Sequence, residues 1–189
     1  MRVSREQAAQ NRERIVETAS RLFREKGYDG IGVADLMKSA GLTHGGFYGH
    51  FASKEDLLAE AFGKAMEGSA ETWRKLLANA PANPRAVLGQ MYLTAKHRDN
   101  PGKGCALAAL GPDVARVGPE VRQAMNDSLQ AQLAALAQAL PGTPEQQRRD
   151  AIATYATLIG GLVLARSVAD RKQSDEILAA VLASLEQGS

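Results

Sequence analysis

Apolar residues recur at helical spacing along almost the whole chain, and breaks in that rhythm divide it into segments. From Asn11, the positions Ile15, Ala19, Leu22 and Phe23 fall at i, i+4, i+7 and i+8, one stripe of an amphipathic helix. Arg24 and Lys26 suit its C-terminal dipole, and Gly27 stops it. Residues 1–11 are polar and read as a tail without order of its own, with Arg2 and Arg5 in reach of a phosphate or a minor groove. The next segment, Gly32 to Ala40, turns Val33, Leu36, Met37 and Ala40 to one side. Gly41 ends it in the left-handed conformation, Leu42 plugs the corner, and the Thr43 hydroxyl is placed to cap a second short helix. In that second helix Phe47 and Phe51, four apart, anchor to the core while Tyr48 and His50 point elsewhere. Two short helices joined by a glycine turn form a helix-turn-helix, whose second helix enters a DNA major groove.

Gly45, Gly46 and Gly49 each cost such a helix roughly 1 kcal/mol relative to alanine. Close approach of the backbone to another surface is one reason to keep them, and a glycine-rich loop is the alternative. Ser53-Lys54-Glu55-Asp56 reads as a capping box opening a helix with Leu57, Leu58, Ala61, Phe62, Ala65 and Met66 inward. That helix either continues through Trp73, Leu76 and Leu77 or breaks near Gly68. Ala80 to Pro84 is a linker by composition. One helix is expected over 85–98, with Val87, Leu88, Met91, Tyr92 and Ala95 on one side, broken by Asn100-Pro101-Gly102-Lys103-Gly104. A short helix over 105–117 comes next, then a long one from Pro119 to Leu140. Pro141 to Pro144 is a stop, with Thr143 as the next cap. The last two helices span 145–170 and 174–186. The first of these, with Ile152, Tyr155, Ile159, Leu162 and Val163, is apolar around much of its girth, as a helix with a partner outside its own chain would be.

Composition narrows the picture. In 189 residues alanine and leucine dominate and aromatics are few, which favours an all-α protein. The net charge of +2 is too small for a polycation, but residues 1–54 hold nine Lys and Arg against six Asp and Glu, leaving the remainder slightly acidic. That balance disfavours a nonspecific or architectural DNA-binding protein, the alternative to a sequence-specific regulator. No apolar run reaches the length of a membrane span or resembles a signal peptide, so a cytoplasmic location is expected. One cysteine excludes an internal disulfide framework, and no spacing suggests a metal site or a cofactor. No phosphate loop or nucleophile elbow points to an enzyme, and His44 and His50 stand about 120° apart around a helix, too far to act as a pair.

Residues 12–62 resemble the N-terminal domain of the tetracycline-repressor (TetR) family of bacterial transcription regulators. The pieces that carry the resemblance are REKGYDG, LMKSAGLT, GGFYGHF and ASKEDLL, and the match over 12–62 covers about a quarter of the chain without gaps. Gly32 and Val33 stand where the family usually has threonine or serine, and Met37 replaces a frequent alanine. The resemblance implies a three-helix helix-turn-helix domain over 1–53 and a ligand-binding and dimerisation domain over 54–189, about nine helices in all. It implies Thr43, Tyr48, His50 and Lys54 as phosphate contacts, and His44, Gly45 and Gly46 at positions facing bases. The last two helices would pair with their copies, and a homodimer would read a pseudo-palindromic operator with half-sites about 34 Å apart.

Cys105 follows Gly-Lys-Gly at an expected helix N-terminus, with His97, Arg98 and Lys103 near in sequence. Such surroundings favour thiolate, and some members of the resembled family sense electrophiles or oxidants with a thiol in this region. The other reading of Cys105 is a small buried hydrophobe. For a noncovalent inducer, Met66, Trp73, Tyr92, Leu110, Met125 and Tyr155 are candidate cavity residues, with His97, Thr94 and Thr157 as polar company. Inducer identity, operator sequence, and repression or activation are not written in the chain.

Overall fold

A computed structural model describes residues 4–79 and 82–187. Among them are nine α-helices and two 3-10 turns: α1 (Arg5–Lys26), α2 (Val33–Ser39), a 3-10 helix (His44–Gly49), α3 (Lys54–Leu77), α4 (Pro84–Tyr92), α5 (Ala95–Asp99), a 3-10 turn (Pro101–Lys103), α6 (Ala106–Val114), α7 (Pro119–Ala139), α8 (Pro144–Ser167) and α9 (Arg171–Gln187). The all-α expectation holds. Arg2, Ala80 and Pro81 lie outside the described residues.

Helix α1 begins six residues earlier than its apolar stripe suggests. Ser4 accepts the Gln7 N–H and Glu6 sits in the first turn, so the helix is capped where polar composition alone suggests a tail. Gly41 is left-handed, φ 69°, as α2 requires of its exit. The element after it is a 3-10 helix rather than an α-helix, and the Thr43 hydroxyl makes no cap bond. Six residues containing three glycines are short for an α-helix; i→i+3 bonds such as Gly46 N–H to Thr43 O close the turn instead.

Helix α3 runs unbroken past Gly68 for 24 residues, about 36 Å. The Ser53 hydroxyl accepts the Asp56 N–H, but the Asp56 carboxylate takes the Ala52 N–H, one residue before the reciprocal partner of a true capping box. Two buried clusters lie along it. Leu57, Leu58, Phe62 and Met66 join the core of α1, α2 and α6, while Trp73 and Leu77 join that of α4, α7, α8 and α9.

The single helix expected over 85–98 is two. Leu93 leaves helical geometry (ψ 62°) and is buried at the corner, and Thr94 caps α5 by accepting the His97 N–H. Ala95 is consequently exposed. Thr143 and Gln146 form a full capping box at α8. Gly161 lets α9 approach closely, since a Cβ there would stand 2.9 Å from Val181. Gly160 faces open space, and Ile152, Val163 and Leu164 on the same helix are exposed.

Candidate nucleic-acid interface and regulatory cavity

The 3-10 helix has an inside and an outside. Phe47 and Phe51 are buried with ring centroids 5.7 Å apart, and Arg12 of α1 lies over Phe51 at 4.6 Å while pairing with Glu60. Outward stand Thr43, His44, Gly45 and Tyr48, the last 70% exposed, so Tyr48 is no core residue. Gly46 and His50 are half-buried beside them. An added Cβ at Gly45 or Gly49 meets nothing within 4 Å, and neither residue has positive φ. Packing inside the chain therefore asks for glycine at neither position.

Lys54 opens α3 at the edge of this face. Its Nζ donates to the Tyr28 carbonyl at 2.5 Å and sits 4.1 Å from the Tyr28 ring centroid. The Tyr28 hydroxyl donates to Glu55, and burial together with that bond pushes the phenol up while the same bond holds the Glu55 carboxyl below its ordinary range. The Tyr28 N–H in turn donates to Asp113 Oδ2 of α6 at 2.9 Å. Tyr28 thus ties α6 to the start of α3, a role visible in the sequence only as the aromatic after Gly27.

A concavity of about 620 Å³ opens between α1, α3 and the α4–α6 segment. Of the residues singled out by sequence, Trp73, Tyr92, His97, Cys105 and Thr94 line it. Tyr155 stands behind the wall, its ring 5.0 Å from Trp73, its hydroxyl donating to Gln132 at 2.9 Å and lying 3.8 Å from Cys105 Sγ. Leu110, Met66 and Met125 do not line it; they pack in the core around α1, Leu110 because the apolar side of α6 turns that way. Sequence reasoning missed the contribution of α1: Glu17, Ser20 and Arg24 recur at i, i+3 and i+7, a polar stripe whose partner loop lies some 80 residues away.

His97 fixes the cavity's rear. Its Nδ1 bonds the Tyr92 carbonyl at 2.7 Å and its Nε2 accepts the Cys105 N–H at 2.9 Å, an arrangement possible only for the neutral ring protonated on Nδ1. Burial, aided by the Arg166 charge and opposed by the Tyr92 carbonyl, lowers its pKa. His97 therefore bonds the Cys105 backbone rather than its thiol, and Arg98 turns away to Asp99, Ser174 and Asp175. The loop before Cys105 is wedged tightly. A Cβ on Gly102 would stand 2.3 Å from Glu25 Oε1 of α1, and one on Gly104 would stand 2.7 Å from the His97 ring. Among the described residues no group of His, Cys, Asp and Glu could hold a metal ion, and no helix is long and apolar enough to cross a membrane.

The family model of bacterial regulatory proteins of the tetR family matches residues 15–61. The transcriptional repressor NemR of Escherichia coli K12 is 30% identical over 137 residues, 68% of this chain and 66% of that protein. The transcriptional regulator AcrR of Shigella flexneri is 29% identical over 92 residues, so the matched segment spans 49% of this chain and 43% of AcrR. The solved structure of reduced E. coli NemR superposes with a TM-score of 0.77 at 25% identity, covering 94% of this chain and 95% of that one. A TetR-family regulator from Cytophaga hutchinsonii shares the fold with a TM-score of 0.78 at 20% identity, covering 98% and 97%.

Proposed function

The chain belongs to the TetR family of bacterial regulatory proteins, and from that premise we propose that it is a sequence-specific, DNA-binding transcriptional repressor released by a small molecule or an electrophile. The observation that carries this reading is the two-sidedness of residues 44–51: Phe47 and Phe51 locked inside, Tyr48, His44 and the unexplained Gly45 and Gly49 outside. Thr43, Tyr48, His50 and Lys54 hold phosphates, while His44 with the bare backbone of Gly45 and Gly46 meets base edges. For Lys54 this means exchanging the Tyr28 carbonyl for a phosphate oxygen. The domain boundary falls between 53 and 54, and the protein works in the cytoplasm.

A repressor of this kind needs two reading heads. The exposed stripe of Ile152, Ala156, Gly160, Val163 and Leu164 on α8, with α9 beside it, is the surface that pairs with a second copy. Release starts at the cavity. Cys105 is the N-cap residue of α6 and Asp113 lies near its other end, bonded to Tyr28, which holds Lys54 and Glu55. Addition of an electrophile at Cys105 Sγ, or a ligand filling the cavity, displaces the wedged loop against α1 and α6 against Tyr28.

The test begins with selection of a binding site from random duplexes, expected to yield a pseudo-palindrome bound at least about 10³-fold more tightly than random DNA. An α,β-unsaturated carbonyl then releases that duplex from the native chain but not from Cys105→Ser. Absence of an enriched site removes the repressor reading; equal release from both proteins removes the thiol and leaves the cavity.

A further inference from the structure

The cavity is chemically lopsided. Four cationic side chains line it, Arg24, Lys64, Lys96 and Lys103, against the one carboxylate of Glu17. Lys64 already faces Glu17 at 3.4 Å and Glu13 at 3.1 Å, and His97 is held neutral by its two bonds. The positive excess rests on Arg24, Lys96 and Lys103.

Arg24 is the informative one. Its Nη1 donates to the Gly104 carbonyl at 3.1 Å, an uncharged acceptor, while its Nε is buried with no partner among the described residues. Burial works against the charge, lowering the guanidinium pKa from its ordinary value. Beside the same cavity the hydroxyl of Tyr92, a residue only 2% exposed, makes no hydrogen bond of ordinary length and has the Cys105 thiol as its polar neighbour. An unsatisfied buried polar group costs about 1–3 kcal/mol, and most such groups in native proteins have partners. Two of them on one concavity, one cationic, mark where an acceptor belongs. Trp73, Met91, Ala65 and the Tyr92 ring give the cavity one apolar, partly flat side, beside the polar Ser20, Ser69, Thr72, Thr94 and Asn100, and the volume suits a small organic molecule.

We propose that this cavity binds a small organic anion, a carboxylate or like oxyanion on a flat apolar body, whose charged oxygens bond Arg24 Nε and the Tyr92 hydroxyl. The body lies along Trp73 and Met91, with Lys96 and Lys103 favouring entry of negative charge. This deepens the regulatory reading and rests on it for its consequence: Arg24 belongs to α1, so an anion that engages it acts on the contact between α1 and the Gly104 carbonyl.

Trp73, the sole tryptophan, is the reporter. The native chain, without DNA, is titrated with benzoate and 3-phenylpropanoate and with their neutral amides, following tryptophan emission. At least one carboxylate is expected to bind about tenfold or more tightly than its amide, the size of one charge-assisted hydrogen bond. Arg24→Gln is expected to abolish the preference. Tyr92→Phe, which removes a hydroxyl beside the Cys105 thiol and keeps the ring, is expected to weaken the carboxylate severalfold while leaving the amide nearly unchanged. Amides binding as tightly as carboxylates, no binding of either acid at millimolar concentration, or a Tyr92→Phe protein identical to the native one would overturn the proposal. Because no DNA is present, those results leave operator recognition standing; an intact preference in a protein that selects no operator would instead remove the regulatory reading alone.

Discussion

At Gly45 a methyl group would enter open space without backbone strain, so the molecule by itself gains nothing from glycine there. Gly45→Ala should leave the urea midpoint unchanged or raise stability by up to about 1 kcal/mol. If a groove wall fills that space in the complex, the same change should weaken operator binding by about 1–3 kcal/mol, the range of one lost base contact; unchanged affinity would mean that this backbone is not at the interface. His97 offers a second single-residue test. Its folded-state pKa lies below the ordinary 6.5, so the unfolded chain binds the extra proton. Its effect is absent above pH 6.5, and stability falls as the pH drops from there towards the lowered folded value. Comparing urea midpoints at about pH 5.5 and 7.5 should give a larger acid loss for the native chain than for His97→Gln. The sequence makes Phe47, Phe51 and outward Tyr48 legible because four-residue spacing sets direction. It does not make Arg24 legible, because the loop that gives Arg24 its meaning arrives from residue 104.

Most elements are readable from apolar spacing and punctuation, and the departures share a cause. Helix α1 starts early because Ser4 caps it, a local bond that carries no apolar signature. The element over 44–49 is 3-10 because three glycines in six residues give little support to α geometry, although the Phe51 N–H still reaches the Phe47 carbonyl at 3.0 Å and both rings are buried. The break at Leu93–Thr94 is tertiary: Leu93 is drawn into the core, and a Cβ at Gly161 of α8 would lie 3.2 Å from its Cδ2. The glycines at 102 and 104 look like ordinary helix breakers in the sequence, yet they allow the loop to wedge between α1 and His97. Gly104→Ala pushes a methyl into an imidazole held by two hydrogen bonds, so it should cost about 1–3 kcal/mol, the usual penalty of overpacking. Thermal or urea unfolding checks this, and a loss below a few tenths would show that His97 is freer than its bonds imply.

In the whole molecule, α3 belongs to both buried clusters, so the cavity and the candidate DNA-facing surface are joined by one uninterrupted helix as well as by α6 and Tyr28. Two lever arms converge on the same end of α3. In the proposed repressor the exposed α8 stripe would pair with a second copy, and that symmetry would let the short 3-10 helix read two half-sites. Sequence alone indicates that α8 is apolar beyond its own needs, but not on which flank; α9 defines the flank by occupying Gly161 and leaving Gly160 open. The most direct measurement of this account is binding of the native chain, by anisotropy and sedimentation, to the selected operator and to one half of it. The account predicts two protomers on the symmetric duplex and affinity for the half-site lower by about 10² or more, as loss of several phosphate and base contacts requires. One protomer per duplex with equal affinity for whole and half sites would contradict it.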